Sequence, residues 1–599
     1  MCGICGELKL DGQGADLGHV RSMLQRLERR GPDHEGSFSD GPVALGHRRL
    51  AIIDLSERGN QPMVDTALGL AIVFNGTIYN YPQLRDELRA LGHSFVSGGD
   101  TEVILKAYAA WGEQCVERLT GMFAFAIWDL RRQQLFMARD RLGIKPLYYS
   151  QSEQGLRFAS NTQALLAAAK TDGSIDTSID PVALHHQFTL HAVIPAPRTI
   201  LNGIRKLPPG HSLSIDRHGK QQLRRYWQLY ASRPAQPRSE QEWVAAIHAA
   251  LKTSVKRRLE IADVPVGVLL SGGLDSSLLV GLLAEQGVKD ILTFSIGFED
   301  QPEEQGSEFE FSDQVVAMYH TRHHKYLIPN QQVLQRLPEA VGQMAEPMVG
   351  QDAVAFYLLS ERVAQEVKVV QSGQGADEVF GGYFWYPRMV AEQGTDLERF
   401  ARHYFDREHS EFLETVSADY RGEDHTARLI ESLLAEPGAE EYLDKVLRMD
   451  TTTLIVDDPV KRVDNMTMAW GLEARVPFLD HELVELAMSM PPAMKLGPNG
   501  DDHKYVLKRI ARGLIPDAVI DRPKGYFPMP ALKFVRGEFL DFMHGILDSQ
   551  ACRNRGLFNR AYVDKLLANP DDPAHFTRLQ GSKLWHLALL ELWLQRNVD

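Results

Sequence analysis

The run Val264-Pro265-Val266-Gly267-Val268-Leu269-Leu270 passes directly into Ser271-Gly272-Gly273-Leu274-Asp275-Ser276-Ser277. No other stretch constrains the fold as tightly. The apolar run reads as a short buried strand. The two glycines allow a turn in which backbone approaches a ligand closely, and Ser276 and Ser277 fall where a helix begins, with amide N–H groups free to hold phosphate. Strand, glycine turn and helix in that order are the unit of a parallel α/β sheet. No Lys follows the glycines, so the loop is not of the Walker A type. Strand and helix patterns alternate beyond it, with further buried strands at 291–298 and 367–370, and the last hundred residues read as mostly helical.

The first part of the chain has a different rhythm. Residues 1–150 carry many short β-rich runs separated by glycine turns, such as Leu70-Ala71-Ile72-Val73-Phe74 and the stretch 123–128. Leu207-Pro208-Pro209-Gly210-His211 reads as a turn before a final short strand, and Ser232-Arg233-Pro234-Ala235-Gln236-Pro237-Arg238 as a linker. Ser239-Glu240-Gln241-Glu242 has the form of a capping box opening a helix toward Arg257. The expected division is therefore 1–210, a connection over 211–240, and 241–599. With 599 residues and 44% hydrophobic content the chain has enough material for several full cores. A net charge of -14 argues against a nucleic-acid scaffold. The four cysteines fit neither a disulfide framework nor a zinc site, which suggests a reducing, cytoplasmic setting. No apolar run is long enough to span a membrane.

The amino terminus reads Met1-Cys2-Gly3-Ile4-Cys5-Gly6, with neither the basic region nor the apolar stretch of a signal peptide. Removal of Met1 would leave Cys2 with a thiol and an α-amine on one residue, and an amine of pKa about 8 can serve as base for its own side chain. Arg49 follows in His47-Arg48-Arg49-Leu50, then Asn75-Gly76-Thr77-Ile78-Tyr79-Asn80, Gly99-Asp100-Thr101-Glu102, Gly121-Met122-Phe123-Ala124, and Arg139-Asp140-Arg141-Leu142-Gly143-Ile144-Lys145-Pro146. In this order these motifs resemble the class II glutamine amidotransferase domain, an N-terminal-nucleophile fold, over roughly residues 2–210. The resemblance implies that Cys2 attacks the side-chain amide of glutamine and releases ammonia. It implies that Arg49 pairs with the glutamine α-carboxylate and Asp100 takes its α-ammonium. Asn75 and Gly76 would supply oxyanion donors. Thr77 stands in the glutamine-binding stretch where the family usually has Glu.

The Ser271–Ser277 loop in turn resembles the pyrophosphate loop of enzymes that cleave ATP between its α and β phosphates. The resemblance assigns ATP contacts to Leu269, Ser271, Gly272, Gly273, Asp275, Ser276 and Ile296. A second glycine-rich turn, Ser372-Gly373-Gln374-Gly375-Ala376-Asp377-Glu378, adds Ser372 and Gly373. Acids beside such turns suit magnesium pyrophosphate, because Mg²⁺ takes a few carboxylates together with phosphate oxygens; Asp275 and Asp377 are the expected ligand pair. Asp377 also has a plain reading as a helix cap. Lys461-Arg462-Val463-Asp464-Asn465, Glu473-Ala474-Arg475-Val476-Pro477-Phe478-Leu479-Asp480, Lys504 and Lys524-Gly525-Tyr526 complete the set. With these the whole chain resembles the asparagine synthetase family. The implied fold is an α+β N-terminal-nucleophile glutaminase domain of layered antiparallel sheets, followed by an α/β ATP-pyrophosphatase domain with a parallel sheet and a helical C-terminal part. ATP is then a substrate, Mg²⁺ its companion, and ammonia passes through an internal tunnel to an adenylated carboxylate. Lys504 matches the family lysine near the α-phosphate, although the residue alone would read as a solvated helix lysine. Oligomeric state is open, with a homodimer as the working expectation.

Departures from the family pattern bear on the acceptor. Gln374 stands where asparagine-forming members usually have Glu, and Asn465 where they usually have Arg. The stretch 346–356 differs as well. A neutral amide cannot balance an ammonium. Together with Trp470-Gly471 and Arg522-Pro523-Lys524-Gly525-Tyr526-Phe527-Pro528, these features are similar to the N-acetylglutaminylglutamine amidotransferase branch, which amidates an acylated dipeptide. Asparagine synthesis from aspartate is the alternative. A nucleotide-binding paralogue without turnover and a lactam-forming synthetase are both disfavoured by Cys2. His320, His323 and His324 lack metal spacing and read as a polar cluster. Glu303-Glu304-Gln305-Gly306-Ser307-Glu308 reads as a loop over the ATP site or as solvated surface. Phe384, Trp385 and Tyr386 either line an acceptor pocket or fill core.

Overall fold

The computed structural model describes residues 2–170, 172–300, 305–522 and 529–599. The expectations for Glu303, Glu304 and Pro523 to Pro528 lie outside these residues.

Two six-stranded sheets, antiparallel throughout, form the N-terminal part. In one, strand Gly3–Lys9 pairs with Val43–Arg49 and Gly155–Ala159; in the other, Leu70–Ile78 pairs with Gly121–Asp129. Side chains alternate across each strand. Ile4, Val73, Ala126 and Trp128 therefore meet between the sheets. Cys5 points outward to Val20, Met23 and Leu24 of helix Leu17–Arg26. On the far side Phe74 and Phe125 pack on Leu84, Val103 and Ile104 of helices Tyr81–Ala90 and Asp100–Trp111. Helix, sheet, sheet and helix thus make four layers. Where a linker was expected from residue 211, strands His211–Asp216 and Gln221–Arg225 extend the second sheet, because Leu213 and Ile215 complete the apolar layer between the sheets. The capping box is present as read: Ser239 and Glu242 bond each other's backbone at the start of helix Glu240–Glu260.

The second part holds a five-stranded parallel sheet in the order Arg322–Ile328, Leu292–Phe298, Val266–Leu269, Val369–Gln371, Glu473–Arg475. The chain winds outward from Val266–Leu269 in one direction and later continues from Val369–Gln371 in the other. The boundary between these two strands is a topological switch point, where open α/β sheets bind ligands at their carboxyl ends. Both glycine-rich loops leave from that boundary. His323 and His324 sit within strand Arg322–Ile328, with His323 Nδ1 2.9 Å from Thr293 Oγ1, in keeping with a polar strand cluster.

Buried ion pairs join the two parts. Arg30 Nη1 and Lys145 Nζ bond the two oxygens of Asp464 at 3.0 and 3.2 Å. Lys206 Nζ meets Asp457 Oδ1 at 2.7 Å and Glu346 Oε2 at 3.0 Å; the same Glu346 oxygen accepts from Tyr148 Oη at 3.2 Å. Removing one partner of a buried network leaves uncompensated charge, at a cost of about 3–5 kcal/mol. Glu346→Ala is accordingly expected to lower the unfolding midpoint by several degrees; a melting curve superimposable on wild type would show that Asp457 alone satisfies Lys206.

Candidate functional site

Three recesses adjoin the motifs. The first is a narrow cleft of ≈ 40 Å³ lined by Cys2, Arg49, Gly76, Thr77, Asp100 and Glu473. Cys2 immediately precedes the first strand, Gly3–Lys9, and its backbone N–H donates to Asn75 Oδ1 at 3.0 Å. Burial pushes its thiol pKa up, so the thiolate needs a nearby base. Gly76, at φ +157°, has no room for a side chain: a Cβ there would lie 2.2 Å from the Met122 carbonyl oxygen. Asp100 opens helix Asp100–Trp111 and accepts from the Ile78 N–H at 3.0 Å; burial lifts its carboxyl to about 6. Arg49 departs from the expectation of a free fork. Its Nη1 donates to Ser56 O and Asn60 Oδ1, both at 2.8 Å, and its Nη2 to Asp54 O, tying it to the loop over 53–60.

The sequence reading missed one wall of this cleft. Glu473 belongs to the parallel sheet, yet it accepts from Thr77 Oγ1 at 3.3 Å and from Arg475 Nε at 2.5 Å. Burial opposes its charge, but surrounding cations, Arg475 and Lys145 among them, hold its carboxyl down to about 2. A buried carboxylate thus takes a place beside Thr77, where the family pattern has Glu on the neighbouring chain segment.

The second recess, ≈ 380 Å³, lies at the switch point and brings together Leu269, Ser271, Gly273, Asp275, Ser276, Ile296, Ser372 and Gly373. Apolar walls come from Leu269, Phe294, Ile296 and Phe356. Gly272 shapes the turn from outside the lining at φ +85°, where a Cβ would press to 2.8 Å from Ser312 N. The helix starts at Leu274, with Gly273 at its N-cap, earlier than the serines suggested. Ser276 Oγ instead braces the loop, 3.0 Å from Ser271 Oγ. Lys504 is not a solvated helix lysine. It is 6% exposed, at φ +54°, and its Nζ lies 2.6 Å from Asp275 Oδ2 and 2.8 Å from Asp377 Oδ1. Burial opposes its charge, but the two carboxylates hold its pKa above the ordinary value. The convergence of Asp275 and Asp377 on one cationic centre beside a phosphate-type loop is a hard-oxygen donor set that fits Mg²⁺ held jointly with phosphate.

The third recess, ≈ 270 Å³, adjoins the second and shares Gln374 and Asp377 with it. Trp385, Tyr383 and Tyr404 line it, whereas Tyr386 is buried with its hydroxyl on Asp450. The aromatic run thus serves both pocket and core. Arg462 Nε pairs with Asp352 at 3.1 Å on one wall. Burial and neighbouring acids raise the carboxyls of Glu378 and Asp450. Asn465 does not line this cavity: its Oδ1 accepts from Ala345 N at 2.8 Å and fixes the segment before Glu346. Trp470 is equally remote from it, lying under the guanidinium of Arg29 at 5.1 Å.

Residues 246–595 match the family described as Asparagine synthase, and residues 1–227 match the Glutamine amidotransferase domain. The chain belongs to the asparagine synthase family. It is an amidotransferase ligase. Among its relatives, "Asparagine synthetase [glutamine-hydrolyzing] 1" of Bacillus subtilis is 31% identical over 100% of this chain and 97% of its own length. A "Putative asparagine synthetase [glutamine-hydrolyzing]" of Mycobacterium tuberculosis is 32% identical over 97% of this chain and 94% of its own. Membership explains why the cleft and the two adjoining cavities occur in one chain.

Proposed function

We propose that this enzyme hydrolyses glutamine at Cys2 and uses the ammonia to amidate the C-terminal carboxylate of an N-acylated glutaminyl dipeptide, of which N-acetylglutaminylglutamine is the type. The observation that carries the acceptor reading is the third cavity. At ≈ 270 Å³ it is larger than a free amino acid such as aspartate fills, and beside the charged groups of its lining it offers apolar wall from Trp385, Tyr383, Tyr404, Leu454 and Ile455. Gln351, Gln374 and Gln580 offer neutral amides to an amide-rich ligand. The raised Glu378 and Asp450 carboxyls, when protonated, add O–H donors for its carbonyls.

The chemistry assigns work to residues already in place. With Met1 removed, the Cys2 amine takes the thiol proton, and Sγ attacks the glutamine amide carbon. Asn75 and Gly76 donate to the oxyanion, and ammonia departs to leave a thioester that water cleaves to glutamate. Asp100 holds the substrate ammonium. Arg49, held by the loop over 53–60 and lining the cleft, pairs with the substrate carboxylate. In the second cavity an acceptor carboxylate oxygen attacks the α-phosphorus of ATP and pyrophosphate leaves. Ammonia then attacks the acyl carbon and AMP leaves. Lys504 offsets charge gathering on the α-phosphate. Mg²⁺, held by Asp275 and Asp377, would neutralise the departing pyrophosphate. The two sites share a scaffold: Glu473 faces the Cys2 cleft, and its strand pairs with Val369–Gln371, which leads into Ser372 and Gly373. Four free, buried cysteines support a cytoplasmic setting, and no described helix is long and apolar enough to cross a membrane.

Two measurements test this reading. Comparing kcat/KM for the acylated dipeptide and for aspartate should favour the dipeptide by at least about a hundredfold, equivalent to ~2.7 kcal/mol of differential transition-state binding. Efficient asparagine formation without dipeptide amidation overturns it in favour of aspartate as acceptor. The second concerns pH. Asp100 is ionised only above about 6, and the ammonium-binding form is the ionised one. KM for glutamine should therefore climb as pH falls through about 6, approaching tenfold per unit below it. A flat KM across that range removes Asp100 from the substrate ammonium.

A further inference from the structure

Beside the third cavity, where His191 forms part of the wall, three donors from distant parts of the chain converge. His191 follows helix Pro181–Thr189, Asp406 follows helix Asp396–Tyr404, and His586 lies in helix Lys583–Asn597. Asp406 Oδ2 is 3.0 Å from His191 Nδ1 and 3.7 Å from His586 Nδ1, and one donor atom from each residue lies within 4.8 Å of the others. The His586 side chain is 1% exposed, and among the described residues neither of its ring nitrogens has a hydrogen-bond partner. Asp406 Oδ1 is likewise buried without one. A buried imidazole with both nitrogens unmet is costly, and buried polar atoms of this kind call for an explanation.

A cation supplies one. A tetrahedral ion with bonds of about 2.0–2.1 Å sets its donors roughly 3.3 Å apart, between the two distances seen here. We propose that His191, Asp406 and His586 hold a divalent transition cation of the zinc class, with its open coordination position toward the third cavity. Imidazole donors select such an ion over Mg²⁺. The direction of the opening follows from the lining, in which His191 alone of the three donors faces the cavity. A bound oxygen ligand, from water or from an acceptor carbonyl, has its place there.

The surroundings are built to hold the three donors still. His191 and Ala192 both adopt left-handed backbone, at φ +53° and +60°, a conformation disfavoured for residues with a Cβ and retained where the rest of the structure enforces it. The Asp406 N–H donates to Thr189 O at 2.9 Å, tying two of the segments together. Arg407 is buried and donates to Phe188 O and Lys583 O, both at 3.2 Å, clamping the helices that carry or precede both histidines. A second group, His185, His409 and Asp424, provides a contrast. There His185 Nδ1 meets Thr426 Oγ1 at 2.6 Å and His185 Nε2 meets His409 Nδ1 at 3.0 Å, so the central imidazole is satisfied by protein alone.

The test is elemental analysis of the full chain, purified without chelators or affinity metal and then desalted. About one zinc-class ion per chain is expected. His586→Phe, which keeps the ring volume, and Asp406→Asn should each lower it at least tenfold. Co²⁺ added to metal-stripped protein should give the strong visible absorption of a tetrahedral site in wild type and not in His586→Phe. Metal removal should lower the melting temperature of wild type but not of His586→Phe. A wild type that neither retains zinc nor develops the cobalt band overturns the proposal, leaving Asp406 and His191 as a plain ion pair. So does an ion that survives His586→Phe and is lost in His409→Ala. These readouts do not depend on which carboxylate is amidated.

Discussion

Cys2→Ala should abolish glutamine-dependent amidation, by at least about a thousandfold in kcat, while amidation driven by added ammonium salts persists near the wild-type rate. The thiol is the only proposed nucleophile toward glutamine. Cys2 immediately precedes strand Gly3–Lys9 and is 8% exposed, and the change to Ala removes a single sulfur. The second and third cavities are formed by other segments and retain their lining. Steady-state rates with each nitrogen source, alongside the melting temperature of the variant, decide the matter. Equal loss of both activities in a folded variant would mean that the cleft and the cavities do not divide the reaction between them.

Asp275→Asn should have the complementary effect. AMP and pyrophosphate formation should fall by roughly a hundred- to a thousandfold, about 3–4 kcal/mol of transition-state stabilisation, with glutamine hydrolysis largely intact. Lys504 is gripped between Asp275 and Asp377 at 2.6 and 2.8 Å. The substitution keeps the shape but removes one of two charges that organise the lysine and the pyrophosphate cation. Product analysis by mass spectrometry separates the cases. Wild-type release of ADP and phosphate would dismiss cleavage between the α and β phosphates, and an unchanged AMP yield would remove Asp275 from the reaction.

Local chemistry was legible in the sequence because it is written in neighbours. The strand before Ser271, the glycine turn, the capping box at Ser239 and the Cys2 terminus each depend on residues a few positions apart, where backbone propensity and side-chain hydrogen bonding act directly. Lys504 was singled out only through the resemblance: its neighbours are polar, and nothing local says that Asp275 and Asp377 fold around it. Asn465 misled, since a departure from a motif invites a role in substrate choice, whereas its amide holds Ala345.

By itself the sequence determined the two architectures, the position of Cys2 at the amino terminus, both glycine-rich loops and the order in which they occur. Tertiary structure decided how those pieces meet and which further residues join them. The strand order that sets Val266–Leu269 beside Val369–Gln371 creates the switch point, and only that adjacency puts Asp275 and Asp377 around one lysine. Glu473 reaches Thr77 across 396 residues of chain, and His191, Asp406 and His586 meet from three separate segments. Such contacts form because burying the sheets and helices against one another fixes where their ends emerge. That is a property of packed cores, which no short window of residues encodes.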